Sequence, residues 1–172
     1  MPFRVRTLVA SCLVGLCSAT FLPGQSGARS VAPGSGKALC SALTPADFTR
    51  AGVPVAALKE ANLDGPQGAY CVYSSNAGKV EFDIFFPAGA SAAEVNATEK
   101  TVLGEGGAKF QPAQLAGADD AQISLSMPDL PNSAGIVVRK GRAVFDIVVP
   151  RGTNARQQLL ALAQAVLARL KQ

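Results

Sequence analysis

Two aspartates at equivalent positions of a repeated string are the side chains best suited to acid–base chemistry. Asp83 and Asp146 each occupy the centre of a Phe-Asp-Ile string, 63 residues apart. Two carboxylates held at a suitable separation can cleave a glycosidic bond. If the repeat brings both onto one surface, the chain could be a carboxylate-dependent enzyme acting on envelope glycans. The alternative is that each aspartate lies on the polar face of its strand, paired with a lysine or arginine, or fixes the following turn.

The complete absence of histidine excludes several other kinds of site. None of the 172 residues is histidine, which removes Ser-His-Asp and Cys-His nucleophile activation and the usual zinc ligands. Asp64, Asp119 and Asp120 carry oxygens that calcium could use, but they lack the alternating spacing of a calcium loop. We therefore predict no metal site, no cofactor and no catalytic triad.

Basic residues cluster at one predicted turn. Arg139, Lys140 and Arg142 lie within four positions of one another, and such a cluster could bind an anionic envelope lipid or polymer. The alternative is a solvated turn whose charges discourage strand pairing.

An aromatic residue interrupts an otherwise polar strand face. Phe85 shares the alternation of Glu81 and Asp83, and Tyr70 or Tyr73 would lie nearby on the preceding strand. An exposed apolar patch marks an interaction site, so this surface is the first candidate for binding. Alternatively, the first helix covers it.

The N-terminal residues 1–28 have the pattern of a secretory signal peptide. Arg4 and Arg6 precede an uncharged run over residues 8–22, which is broken by small and polar residues and is too short for a membrane span of about 20 apolar residues. We predict cleavage after Ala28. Cys12 follows a lipobox-like Val-Ala-Ser, but its use would leave an apolar segment on the mature chain, so lipid anchoring there is not predicted.

Export changes how the rest of the chain is interpreted. Residues 29–39 are rich in Gly, Ser and Pro and predict a flexible linker, and residues 40–172 form one domain. The chain has 16 basic and 12 acidic residues, a net charge of +4; without Arg4 and Arg6 this is 14 minus 12, or +2. This charge gives no basis for nucleic-acid binding, and the mature form has no transmembrane span.

Two cysteines remain after export. Cys40 and Cys71 would lie in an oxidising compartment, where a cysteine pair usually bonds. We therefore predict a disulfide; the alternative is two buried free thiols.

Helix signals occur at three places. Thr44, followed by a proline and an acid, predicts a short helix over residues 45–51 that ends at Gly52. Ser91 caps a second helix and Asn154 caps a third. The third has an apolar stripe at helical spacing, made of Leu159, Leu162, Val166 and Leu170.

The strands follow a repeated plan. Residues 69–74 and 79–86 predict a hairpin whose second strand alternates apolar and mostly polar residues. Residues 129–170 repeat the strand-turn-strand-helix order of residues 64–103, with matching Gly, Phe-Asp-Ile, Pro and Gly positions. The prediction is an α+β domain: one antiparallel sheet of about five strands, with the helices packed on one face and the halves related by a pseudo-twofold.

The chain resembles a group of small actinobacterial secreted proteins and lipoproteins of unknown function. The resemblance rests on CSALTPAD at residues 40–47, CVY at 71–73, LAGADDA at 115–121, GIVVRKG at 135–141 and LALA at 160–163. It implies an envelope location and supplies no catalytic residue.

These features favour a non-enzymatic extracytoplasmic protein that binds an envelope ligand or a protein partner. The binding surface would be the open sheet face or the groove between sheet and helices. The alternatives are the carboxylate-dependent enzyme and a sensor or inhibitor domain that docks a partner protein.

Overall fold

The computed structural model describes residues 36–63, 67–87, 91–105 and 107–170. The predicted signal peptide, its cleavage site and Cys12 lie outside these residues, as does most of the predicted linker. The elements run in the order α1 (Gly36–Cys40), α2 (Pro45–Ala51), β1 (Val55–Leu63), β2 (Gly68–Ser75), β3 (Gly78–Phe85), α3 (Ala92–Glu105), β4 (Gln111–Pro112), β5 (Asp120–Ser124), β6 (Ser133–Lys140), β7 (Ala143–Pro150) and α4 (Ala155–Leu167).

The α+β class and the single antiparallel sheet are confirmed. The strand order is β1-β2-β3-β7-β6-β5-β4, and every neighbouring pair is antiparallel. The described sheet has seven strands where about five were predicted. The two additional strands are its edges: β1 pairs with β2 through two register shifts, and β4 has only two residues. Neither has the regular alternation that identifies a strand from sequence.

Local signals placed α2 and α3 correctly. The Thr44 backbone N–H and hydroxyl both donate to Asp47, at 2.8 and 2.6 Å, and Gly52 ends α2 in the left-handed conformation at φ 70°. At the start of α3, Ser91 N–H donates to Glu94 while Glu94 N–H donates to the Ser91 hydroxyl. These helix starts are encoded within a few residues.

Alternation along β3 and β7 defines two faces of the sheet. The core face carries Phe82 of β3 and Phe145 of β7, whose rings meet edge to face. The other face, here called the α3 face, carries Asp83 and Asp146. The predicted stripe of the last helix is buried on the core face. The largest side chains of this core are Phe48, Phe82, Phe145, Leu39, Ile84, Ile123, Ile136, Ile147, Leu159 and Leu162.

The helices do not all pack on one face, which corrects the prediction. Helix α4 packs on the core face, whereas the Lys100 and Asn96 side chains of α3 bond to Asp120 on the opposite face. The physical reason lies in β7, where Val144 and Val148 on the α3 face are as buried as their neighbours on the core face. A strand that is apolar on both faces needs a layer on each side.

The predicted disulfide is confirmed, and α1 begins earlier than the predicted domain boundary. Cys40 and Cys71 are bonded, with their Cα atoms 5.8 Å apart. Residues Gly36–Cys40 form α1, and Leu39 is only 1% exposed in the core. The predicted linker over residues 29–39 is therefore too long at its C-terminal end, because Leu39 contributes to the apolar core.

A buried ion pair ties α2 to the C-terminal residues. The Arg169 guanidinium contacts both carboxylate oxygens of Asp47, at 2.9 and 3.0 Å, and also donates to the Ala42 carbonyl. Burial by itself raises the pKa of Asp47, but the hydrogen bonds from Arg169 and Thr44 lower it more, so the pKa lies below its ordinary value. The charged form of Asp47 therefore stabilises the fold.

Candidate functional site

The register between β3 and β7 places the two predicted acids side by side. Asp83 is the direct partner of Asp146 across this pair of strands. Residues opposite each other in an antiparallel pair have Cβ atoms about 4.5–5.5 Å apart. Both side chains project from the α3 face, because their neighbours Phe82 and Phe145 belong to the core face. The structure therefore brings the two carboxyl groups together.

Asp146 lies in an environment that opposes its ionisation. Its side chain is buried in the sheet face below α3, and the residue is 9% exposed. Burial raises the pKa of this carboxyl well above its ordinary value, and the negative charges of Asp83, Glu99 and Glu81 raise it further. Asp146 therefore keeps its proton to a higher pH than an exposed aspartate does.

The position of the pair determines what it can do chemically. A carboxyl with a raised pKa can act as a general acid, but glycoside cleavage requires it to contact the glycosidic oxygen. Asp146 lies between the sheet and α3, where a polysaccharide does not reach it. The described residues also contain no group of three or more His, Cys, Asp or Glu side chains suited to a metal ion. This geometry suits an Asp146 carboxyl that keeps its proton inside the fold better than it suits a catalytic acid.

Helix α3 is anchored through a third aspartate on the same face. Asp120 accepts from Lys100 at 2.9 Å and from the Asn96 amide at 2.6 Å. Burial raises the pKa of Asp120, but the hydrogen bonds from Lys100 and Asn96 outweigh it and lower the pKa below its ordinary value. Sequence reasoning considered Asp120 only as a loop residue. The available signal was the four-residue spacing of Asn96 and Lys100, which puts them on one side of a helix.

Tyr70 and Phe85 lie together on the α3 face, beside the acid pair. Tyr70 is opposite Asp83 in the β2–β3 register. Phe85 is opposite Gly68, two residues further along each strand and therefore on the same face. Both aromatic residues are half-buried. The first helix does not cover them, since α1 and α2 lie over the core face with Tyr73.

Tyr73 belongs to the core and is therefore not part of the predicted aromatic surface. It is 4% exposed, its ring contacts Phe48 with centroids 4.7 Å apart, and its hydroxyl donates to the Cys40 carbonyl at 2.8 Å. Burial raises the pKa of this phenol above its ordinary value, and the charge of Asp47 adds to the rise. The period-two alternation of β2 separates Tyr73 from Tyr70, which faces the other side of the sheet.

The three basic residues at the β6–β7 turn point to different partners. Arg139 pairs with Asp119 at 3.2 Å, Lys140 donates to the Leu167 carbonyl at 3.4 Å, and Arg142 donates to the Pro87 carbonyl at 3.2 Å. Asp119 also accepts the N–H of the turn residue Gly141. These cations cap local carbonyls and one carboxylate, so they do not converge on a single anion site.

A pocket of about 400 Å³ opens on the α3 face, where β3 begins and β7 ends. The loop between β5 and β6 forms its far wall. Lys79 and Glu81 alternate to the same side of β3 and both border the pocket. Among the described residues, neither side chain makes a hydrogen bond or an ion pair, and the two do not pair with each other. The remaining lining consists of Ala77, Gly78, Leu130, Pro131, Asn132, Ser133, Val148 and Pro150.

The rim of this pocket is built from tight turns. Ser133 N–H donates to the Leu130 carbonyl at 3.0 Å, and Leu130 N–H donates to the Met127 carbonyl at 3.1 Å. Asn132 takes a left-handed conformation at φ 64°, which asparagine tolerates better than most residues. The wall is therefore held in shape by the backbone. We name this the Lys79–Glu81 pocket.

Comparisons with known proteins found no match to any family model, curated protein or solved structure. Within the described residues, no helix has both the length and the apolar content needed to cross a bilayer.

Sequence reasoning missed the Lys79–Glu81 pocket. Lys79 and Glu81 are separated from Leu130 and Asn132 by about fifty residues of chain, and only the pairing of β3 with β7 brings the β5–β6 loop beside them. An available local signal was the i, i+2 placement of opposite charges on one strand face.

Proposed function

We propose that this protein is a non-enzymatic extracytoplasmic protein that binds a cell-envelope ligand or a partner protein on its α3 face. The observation that carries the proposal is the Lys79–Glu81 pocket, which combines apolar walls with two oppositely charged side chains that have no partner among the described residues. The lining is a mixture of apolar and polar groups, and convergent polar groups are what orient a ligand in such a site.

Two further observations support the proposed extracytoplasmic location of the protein and the proposed binding surface on its α3 face. The Cys40–Cys71 bond is consistent with an oxidising, extracytoplasmic compartment, in agreement with the signal-peptide pattern and the resemblance to secreted proteins. Phe85 and Tyr70 continue the α3 face beyond the pocket as half-buried aromatic residues. An accessible apolar patch with a polar margin favours protein or ligand contact over plain solvent exposure.

The same face argues against the alternative of glycan cleavage. Among the described residues, Asp146 is a carboxyl whose pKa is raised well above its ordinary value, and it is buried below α3. Its partner Asp83 is only half-buried, so one carboxyl of the pair reaches accessible surface, whereas glycoside cleavage requires two. We therefore propose a binding role and assign no catalytic residue.

Site-specific photo-crosslinking tests this proposal. A photoreactive amino acid replaces Phe85 or the exposed pocket residue Ala77 in the purified protein, and the matched control carries it at Ala168, an exposed residue at the end of α4. After irradiation with envelope extract, we expect discrete adducts from the two α3-face positions and none from the control, with mass spectrometry identifying the adduct. Equal labelling from all three positions, or no adducts above background, would contradict the proposal.

A further inference from the structure

The backbone of β3 fixes the spacing of the two charged residues of the Lys79–Glu81 pocket. Because they lie two residues apart on an extended strand, their Cα atoms are about 6.8 Å apart along β3. Their side chains project in the same direction, yet no ion pair forms between them. A ligand with one positive and one negative group at a comparable distance can satisfy both charges, which neither a pure cation nor a pure anion can do.

The apolar part of the pocket limits the size of the group between those charges. Val148, which is 4% exposed, lines the pocket together with Leu130 and Pro150. Asn132 and Ser133 add uncharged hydrogen-bonding groups at the rim. Such a lining fits small aliphatic side chains joined by an amide.

An extended dipeptide has this combination of features. Two residues span at most about 7 Å from end to end, close to the separation of the Lys79 and Glu81 Cα atoms. Its ammonium group donates hydrogen bonds and its carboxylate accepts them, and charge-assisted bonds of this kind are the strong ones. The peptide amide lies between the two termini, and the lining residues Asn132 and Ser133 supply uncharged polar groups to bond it.

We propose that the Lys79–Glu81 pocket binds a short zwitterionic peptide, with Glu81 receiving its terminal ammonium and Lys79 its terminal carboxylate. The inference rests on the proposed binding function and names the ligand class for the same face. The pocket is open and small, so the expected affinity is modest, with a Kd of about 1 mM.

The test is an NMR titration of the isotope-labelled protein with alanyl-alanine. We expect saturable amide shifts at residues 79–81, 132–133 and 148–149. N-acetyl-alanyl-alanine, which lacks the ammonium, and alanyl-alanine amide, which lacks the carboxylate, should each bind at least about tenfold more weakly. No saturable shift from the free dipeptide at about 10 mM would overturn the inference, and so would equal affinity for the blocked peptides.

Matched variants assign the binding to the two charges. Lys79→Met and Glu81→Gln should each weaken dipeptide binding by about tenfold, the loss of one charge-assisted hydrogen bond. The controls Lys109→Met and Glu105→Gln alter exposed residues away from the pocket and should bind as the parent protein does. If all four variants bind alike, the assignment to Lys79 and Glu81 is wrong.

The outcome separates this inference from the proposed function. Position-specific crosslinking at Phe85 and Ala77 without dipeptide binding would leave the α3 face as a binding surface and reject the ligand class. Failure of both experiments would reject the binding function itself.

Discussion

Asp146 offers a measurable consequence of placing two carboxyls side by side under a helix. Burial and the charge of Asp83 keep Asp146 protonated in the fold at a pH where the unfolded chain would have released that proton. The folded-state pKa is raised, so the stabilisation of the protonated form is fully present below the unfolded pKa and is lost as pH rises to the folded pKa. Asp146→Asn removes this titration and supplies an amide that can donate to Asp83.

The size of the effect follows from linkage. Over the window between the unfolded and folded pKa values, the parent protein should lose about 1.4 kcal/mol of unfolding free energy per pH unit at this site, while the asparagine variant loses none there. For a domain of about 135 residues, this corresponds to a relative Tm gain for the variant of about 5 °C per pH unit. Above the folded pKa, the difference stays constant.

Thermal unfolding of parent and variant, measured in half-unit steps from about pH 4 to pH 8, tests the prediction. A packing change caused by the substitution shifts the whole curve, whereas the loss of the titration changes its slope. Asp120→Asn is the matched control, because its pKa is lowered by Lys100 and Asn96 and its charged form stabilises the fold. Both its folded and its unfolded pKa lie below this pH range, so that variant should be less stable than the parent by a nearly constant amount across the scan.

Two results would refute the reasoning. If Asp146→Asn follows the pH dependence of the parent, Asp146 does not titrate abnormally. If it is less stable than the parent at every pH, by an amount that grows with rising pH, then the charged form of Asp146 is the stabilising one. Asp83→Asn should narrow the pH window over which the parent loses stability without abolishing it, since it removes only one of the causes that raise the Asp146 pKa.

Three further substitutions test the packing around α1 and α2, each by denaturant or thermal unfolding. Arg169→Met leaves the buried Asp47 charge without its main partner, so a loss of about 3 kcal/mol is expected near pH 7; the loss should shrink as pH falls through the lowered folded pKa of Asp47, and an unchanged loss at acid pH would contradict the ion-pair explanation. Replacing Cys40 and Cys71 by serine opens a loop with a sequence separation of 31 and should cost about 3.7 kcal/mol by the chain-entropy relation; a reductant should then destabilise the parent and leave the variant unaffected. Tyr73→Phe removes the hydroxyl that donates to the Cys40 carbonyl and should cost about 1–2 kcal/mol; equal stability would mean that water replaces this bond.

Only part of the arrangement of Asp83 and Asp146 could be predicted from the sequence. The repeated Phe-Asp-Ile string singled out Asp83 and Asp146, and the alternation of β3 correctly put Glu81, Asp83 and Phe85 on one face. The burial of Asp146 could not be deduced in that way, because it depends on α3 crossing β7. The sequence predicted both halves to place their helices alike, and the structure has α3 and α4 on opposite faces.

Tyr70 and Tyr73 show the same limit at shorter range. Both were candidates for one aromatic surface with Phe85, yet the three-residue separation puts them on opposite faces of β2. The spacing predicts that the two tyrosines lie on opposite faces of β2. Which of the two faces is the core face followed only from the contact of Tyr73 with Phe48.

The sequence by itself determined the features whose physics is local. The caps of α2 and α3 rest on hydrogen bonds within four residues, the first hairpin rests on a short turn, and the Cys40–Cys71 bond rests on there being one suitable pair. The tertiary structure alone decided that β3 pairs with β7 in a register that joins Asp83 to Asp146, that α3 covers the pair, and that the β5–β6 loop completes the Lys79–Glu81 pocket. These contacts join segments about fifty or more residues apart. They are selected by the total apolar area that is buried when β7 is covered on both faces, and this area depends on several segments at once, so it cannot be calculated from any one of them.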